Sequence, residues 1–351
     1  MNPQCYDILI LGGGLAGLSA AIAAAEAGCG SVAVVERKIR WGWPIQCAEM
    51  VPKLIGEVVS LERDSIVQAV SRLQFHFGDR PIGTLSAPAY ILDRSRFEAA
   101  LADRAAHLGV ALWQPASVRA IAGDGALVAQ SGNQYDLEAR VIIGADGPQS
   151  LVRRVLTDEP MEFAFAMQHV LPLAKPSEVA DIFLALEYGA GYGWCFPRGR
   201  EANVGVALPS EHRDRLRAAL DDLIGQLVRS GRIVAAPPIR RTGGLVPAGG
   251  PVAQTVVGSI MLAGDAAGQV HPLSGAGILT ACACGRMAGE AAARAAAQKS
   301  LSLLDEYETR WRDLYDGYFA RGLESRRRLR NCDPDGFLET VQAAWRFRPL
   351  D

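Results

Sequence analysis

Three glycines near the start of the chain, Gly12, Gly14 and Gly17, stand in the spacing G-x-G-x-x-G, and Glu36 follows 19 residues after the last of them. That spacing suits a dinucleotide. The first glycine allows a tight turn, the second lets the backbone approach a pyrophosphate, and the third lets a helix pack on a strand. An acid at Glu36 is placed to accept hydrogen bonds from a ribose. Two distant segments repeat the theme. Gly144-Ala145-Asp146-Gly147 follows the apolar Val141-Ile142-Ile143, and Gly264-Asp265-Ala266-Ala267-Gly268 follows Ile260-Met261-Leu262-Ala263. Each aspartate thus falls at the C-terminal end of a short buried strand, where open α/β sheets bind ligands. Small residues then open a long Ala-rich helix, and a helix N-terminus can hold developing negative charge.

Such residues need particular elements behind them. Residues 6–11 form an apolar run that predicts a buried parallel strand. Residues 15–26 are Ala-rich and free of proline, which predicts a helix, with Gly28 at its stop. Residues 31–36 predict a second strand ending in the acid. Residues 94–108 read as an amphipathic helix, 110–140 as a β-meander, 211–230 as a charged helix and 301–329 as a further helix. Strand-like runs surround Phe163, Ile182 and residues 204–208.

Composition narrows the class. Of 351 residues, 49% are hydrophobic and 21% charged, which excludes disorder. A formal charge of -2 argues against a broad nucleic-acid-binding face. The seven cysteines include no C-x-x-C pair, and the five histidines no H-x-x-x-H pair, so no metal site is expected. We read the thiols as reduced and the protein as cytoplasmic. Residues 8–25 are long and apolar enough to suggest a membrane span, but their glycines and the lack of a basic lead-in favour a strand and a helix.

The three motifs taken together resemble the flavoproteins of the p-hydroxybenzoate hydroxylase fold. Within that fold the chain is most similar to the geranylgeranyl reductase family. Gly42-Trp43-Pro44-Ile45-Gln46-Cys47-Ala48-Glu49 resembles that family's segment near the flavin, Tyr192-Gly193-Trp194-Cys195-Phe196-Pro197 matches its Y-x-W-x-F-P motif, and Ala202-Asn203-Val204-Gly205-Val206 follows as in the family. Gly189 stands where the family has proline, and Ala276 where a glycine is common.

The resemblance implies a mixed α/β (α+β) fold: a Rossmann-like FAD-binding domain with an inserted antiparallel-sheet substrate domain and a C-terminal helical segment. The expected boundaries are 1–72, 92–155 and 245–300 for the FAD-binding domain, 73–91 and 156–244 for the substrate sheet, and 301–351 for the helical segment. It implies FAD contacts at Gly12, Gly14, Leu15, Ala16, Gly17, Glu36, Arg37, Cys47, Arg94, Val118, Asp146, Gly264, Asp265, Gly275, Ala276, Gly277 and Ile278. It also implies saturation of carbon–carbon double bonds in a prenyl chain.

A hydride reaching one alkene carbon leaves the other needing a proton. Cys47 is a candidate donor, and Tyr192 and Trp194, two apart on a strand, would form one aromatic wall. His271 reads as a structural histidine. The electron donor is open between NADPH and ferredoxin. A lipid substrate, a redox donor protein and peripheral membrane contact are the expected partners, the last through the basic cluster Arg321, Arg326, Arg327, Arg328 and Arg330. An FAD monooxygenase or halogenase is the competing reading. The halogenase W-x-W-x-I-P pattern is near Tyr192 to Pro197 but lacks its first Trp and its Ile. A flavin-binding protein without enzymatic activity is a further alternative.

Overall fold

The computed structural model describes residues 3–350. Its first sheet is centred on parallel strands in the order Ile260–Leu262, Asn133–Gly144, Gln4–Leu11, Val32–Val35 and Ala111–Trp113. These strands are buried on both faces, so they read as continuous apolar runs. Ile8, Ile10, Val32, Val34, Val141 and Ile143 pack with the helices Leu15–Glu26, Arg94–His107 and Ile278–Gln298. The intervening Leu9, Leu11, Ala33, Val35 and Ile142 face the other way. There the hairpin Ser117–Ala122 and Gly125–Gln130 joins the start of Asn133–Gly144. The apolar run at 8–25 is therefore a strand and a helix. Among the described residues, no helix is long and apolar enough to cross a membrane.

The second sheet is mostly antiparallel, in the order Arg240–Pro247, Phe163–Pro172, Glu201–Pro209, Tyr192–Arg198, Val179–Leu184, Ile66–Phe77, Arg80–Leu92 and Arg348–Pro349. Met50–Pro52 pairs with Arg80–Leu92. The helix Leu216–Arg229 covers one face through Leu220, Leu223 and Leu227. The helix expected over 211–230 starts later, because Ser210–Arg215 forms a 3-10 turn first. The last expected helix occupies Asp305–Arg330, and a second one, Phe337–Trp345, follows it. The terminal pair Arg348–Pro349 joins the sheet beside Gly83, where Phe347 stacks on Phe75 with ring centroids 4.5 Å apart. A Cβ at Gly83 would lie 2.1 Å from the Phe347 ring.

Two glycines one helical turn apart set the depth of the first layer. A Cβ at Gly285 would lie 2.2 Å from the Ala16 carbonyl oxygen, and one at Gly289 would lie 2.0 Å from that of Ala20. The helix Ile278–Gln298 therefore touches the backbone of Leu15–Glu26, which holds both helix N-termini at one place. Gly289→Ala should destabilise the protein by about 1–3 kcal/mol, the usual cost of overpacking, read as a lower urea midpoint. An unchanged midpoint would mean that the two helices are not in this contact.

Candidate functional site

A cavity of about 480 Å³ lies where the two sheets meet. The first sheet brings Gly14, Leu15, Ala16, Arg37, Asp146, Asp265, Gly275, Gly277 and Ile278 to its lining. The second brings Tyr192 and Trp194, and the connecting segments bring Cys47 and Arg94. Gly12, Gly17, Glu36, Val118, Gly264 and Ala276 are not among the lining residues. Gly12 and Gly17 instead build the turn beneath it. A Cβ at Gly17 would meet the Gly12 carbonyl oxygen at 1.9 Å, and one at Gly12, where φ is +109°, would meet that of Ala145 at 2.2 Å. Val118 is half-buried on the hairpin strand Ser117–Ala122.

Three features of this lining suit a dinucleotide. First, no protein atom lies within 4 Å of where a Cβ of Gly14 would stand, so a side chain there would occupy ligand space. Second, the helices Leu15–Glu26 and Ile278–Gln298 start at Gly14 and Gly277 with no side-chain cap. Their first N–H groups are therefore open to an anion or a polar ring edge. Third, the Asp265 carboxylate accepts no hydrogen bond from the described residues and is free for ligand hydroxyls. Burial raises its pKa, and the Arg94 charge opposes that shift.

The other two acids are already engaged. Glu36 accepts from Gly13 N at 2.8 Å and Lys38 N at 2.7 Å. Asp146 accepts from Ser150 Oγ at 2.5 Å and Leu151 N at 2.6 Å, which fixes the start of the helix Leu151–Leu156. Arg94 opens its own helix, with Asp93 as the cap, and pairs with the buried Glu98. Burial pulls the Arg94 pKa down, but the Glu98 carboxylate and the Cys47 thiol outweigh it, and the net shift is upward.

Cys47 is held from several sides. Its Sγ accepts from Glu49 N at 3.2 Å, and its carbonyl accepts from Gln168 Nε2 at 3.1 Å. Gln168 Oε1 in turn accepts from Trp194 Nε1 at 2.9 Å. Burial pushes the Cys47 thiol pKa up, and the neighbouring Arg94 charge partly offsets it. Tyr192 Oη donates to the Ser274 carbonyl at 2.5 Å, and burial raises its pKa as well. The Tyr192 and Trp194 rings sit 5.7 Å apart, with Trp345 edge-on to Tyr192 at 5.1 Å. His271 Nδ1 accepts from Ser274 N at 3.2 Å, and burial, followed by the Arg321 charge, lowers its pKa to about 4. It is neutral at pH 7.

Sequence reading missed Gln168 and the weight carried by Glu49. Glu49 is 0% exposed and has φ of +66°, which is uncommon outside glycine. Its Oε2 accepts from Arg198 Nε, Arg240 Nη2 and Asn203 Nδ2, each at 3.2 Å, and its Oε1 accepts from Arg94 N at 3.2 Å. The signal was present as Cys47-Ala48-Glu49, but its partners lie far along the chain.

Glu49→Gln would leave the Arg240 guanidinium without its counter-charge, while Arg198 keeps Asp93 and Glu201. Breaking a buried pair in this way costs ~3–5 kcal/mol. The urea midpoint should fall well below that of Arg217→Gln, whose pairing with Asp221 is exposed. Equal midpoints would show that the carboxylate does not hold these strands.

Comparison with known proteins identifies the cofactor domain and the family. Two family models described as an FAD binding domain match residues 7–73 and 83–317. A digeranylgeranylglycerophospholipid reductase of Methanopyrus kandleri is 33% identical over 339 residues, which span 91% of this chain and 85% of the relative. The crystal structure of a geranylgeranyl bacteriochlorophyll reductase-like protein from Thermoplasma acidophilum superposes with a TM-score of 0.87 at 23% identity, covering 98% of each chain. A probable FAD-dependent monooxygenase from Pseudomonas aeruginosa shares the fold at a TM-score of 0.74 and 18% identity, over 97% of this chain and 100% of its own. With an FAD-binding match over more than half of its length and a relative this similar, the chain belongs to the digeranylgeranylglycerophospholipid reductase family of FAD-dependent oxidoreductases.

Proposed function

We propose that the protein saturates carbon–carbon double bonds of a prenyl chain carried on a lipid. The observation that carries this reading is the half-buried Cys47 thiol, which lines one cavity with the uncapped helix start at Gly277 and the Tyr192 and Trp194 rings. FAD, when bound in its reduced form, supplies the hydride equivalent. In this reading Gly14, Leu15 and Ala16 hold the pyrophosphate at the helix N-terminus. Asp265 takes the ribityl hydroxyls, and residues 275–278 flank the ring. Glu36 and Arg37 meet the adenosine half.

The chain's own residues supply what remains. Tyr192, Trp194 and Leu273 give an apolar wall against which a prenyl chain can lie. The Cys47 thiol is protonated at neutral pH because burial disfavours its anion. It gives its S–H proton to the second alkene carbon, and the sulfur keeps the bonding pair as a thiolate. The nearby Arg94 charge stabilises that thiolate until water returns a proton. Gln168 and Trp194 fix the Cys47 backbone, so the thiol does not turn away. The electron donor is either NADPH or ferredoxin, and anaerobic reduction of the loaded protein with each in turn separates them.

Cys47→Ala should still bind FAD, because no thiol is needed to hold it. Its flavin reoxidation by a prenyl lipid under argon should slow by ~10²–10⁴-fold, the usual worth of a positioned acid. Cys47→Ser should retain part of the rate, and Cys29→Ala and Cys332→Ala the whole of it. A parent rate in Cys47→Ala would remove the thiol from proton delivery. If the parent protein reoxidises only when oxygen is admitted, the monooxygenase reading takes over.

A further inference from the structure

Two segments far apart in the chain, residues 37–47 and 232–242, meet at the rim of the cavity. The guanidinium carbons of Arg40 and Arg240 lie 6.0 and 5.8 Å from the centroid of the Trp43 ring. Gln46 Nε2 donates to the Gly243 carbonyl at 2.8 Å. Arg37, Lys38, Pro44 and Thr242 line the cavity, so the cavity reaches this surface.

The rim has an unusual composition. The two segments carry six basic residues and no acid. Asp181 and Glu49 answer Arg232 and Arg240. Arg241 turns to the opposite face of the sheet, toward the helix Leu216–Arg229, which leaves Arg37, Lys38 and Arg40 at the rim, none of them ion-paired with the described residues. Among these charges stand apolar side chains turned to solvent: Ile39 is 82% exposed and Trp43 42%. An exposed aliphatic, a tryptophan and unpaired basic groups together are what a protein places at the headgroup layer of a membrane.

We propose that this rim is a docking surface for an anionic lipid bilayer. Ile39 and Trp43 enter the headgroup layer, while Lys38 and Arg40 lie against lipid phosphates. The proposal rests on the prenyl-lipid reading and deepens it: a chain too apolar to cross water passes from bilayer to cavity directly. An acidic protein would match the charges but gives no reason for the exposed Ile39 and Trp43. The basic cluster of the last long helix is less suited. Arg326 and Arg330 pair with Glu162, Arg330 also with Glu211, and Arg328 with Glu324.

The test is co-sedimentation of the FAD-loaded full chain with vesicles of phosphatidylcholine, alone or mixed with phosphatidylglycerol. The parent should bind the mixed vesicles only, and high salt should release it. Arg40→Glu should lower partitioning by roughly 5-fold or more, from the known worth of a basic side chain at an anionic surface. Ile39→Ser should weaken it too, whereas Arg327→Glu with Arg328→Glu should not. The Arg40→Glu variant should reduce detergent-dispersed lipid at the parent rate and vesicle lipid more slowly. Equal vesicle binding by parent and rim variants overturns the proposal. So does a loss confined to the Arg327/Arg328 variant, or binding only to a soluble acidic protein. Vesicle binding with no turnover in detergent would sink the reductase reading and leave the docking surface standing. Turnover in detergent without vesicle binding would do the reverse.

Discussion

The Glu49 carboxylate fixes how the two halves of this molecule meet. It is fully buried, and it answers one guanidinium from the strand Tyr192–Arg198 and another from Arg240–Pro247. It also takes the amide of Asn203 and the backbone N–H of Arg94, at the start of a helix on the first sheet. A charge so far from water persists only when its acceptor sites are filled and opposite charge is near. The arrangement is demanding, and that demand makes it specific: a shifted strand would strand a charge. Cys47 stands two residues away, and its Sγ is hydrogen-bonded by the Glu49 backbone. The place of the thiol is thus set by an ion cluster it does not belong to.

The cavity joins two environments with opposite chemistry. On one side, helix starts without side-chain caps and the unpaired Asp265 present donors and an acceptor to a polar ligand. On the other, aromatic rings and Leu273 offer nothing polar except groups already bonded to the protein, such as Tyr192 Oη and Trp194 Nε1. A cofactor of phosphates and hydroxyls and a substrate of hydrocarbon would sort themselves between these walls. The Cys47 thiol and the Arg94 guanidinium lie at the seam, and burial keeps the thiol neutral until a proton is needed.

Some of this was legible in the sequence because it is local. The glycine spacing at residues 12–17 dictates its own turn, and the strand and helix on either side are written in adjacent residues. The aspartates at 146 and 265 look alike in sequence, each after an apolar run. Only the fold separates them: Ser150 and Leu151 consume the first, while the second stays open. The Glu49 cluster and the Gln168 bridge from Trp194 to Cys47 were not legible, because they join residues more than a hundred positions apart. Sheet pairing alone brings those together. The arginines near the C-terminus looked like a free basic face, yet their acidic partners Glu162 and Glu211 come from a different part of the chain. The terminal Phe347 shows the same limit, since its place on Phe75 depends on the missing side chain of Gly83.

The most direct test of the central claim is the chemical fate of the lipid. The FAD-loaded protein, reduced chemically under argon, is incubated with a prenylated glycerophospholipid, and the extract is analysed by mass spectrometry. The account predicts products that have gained pairs of hydrogen atoms at the prenyl double bonds and no oxygen, formed without any oxygen present. Unchanged lipid under argon, together with oxygen-containing products once air is admitted, would contradict it.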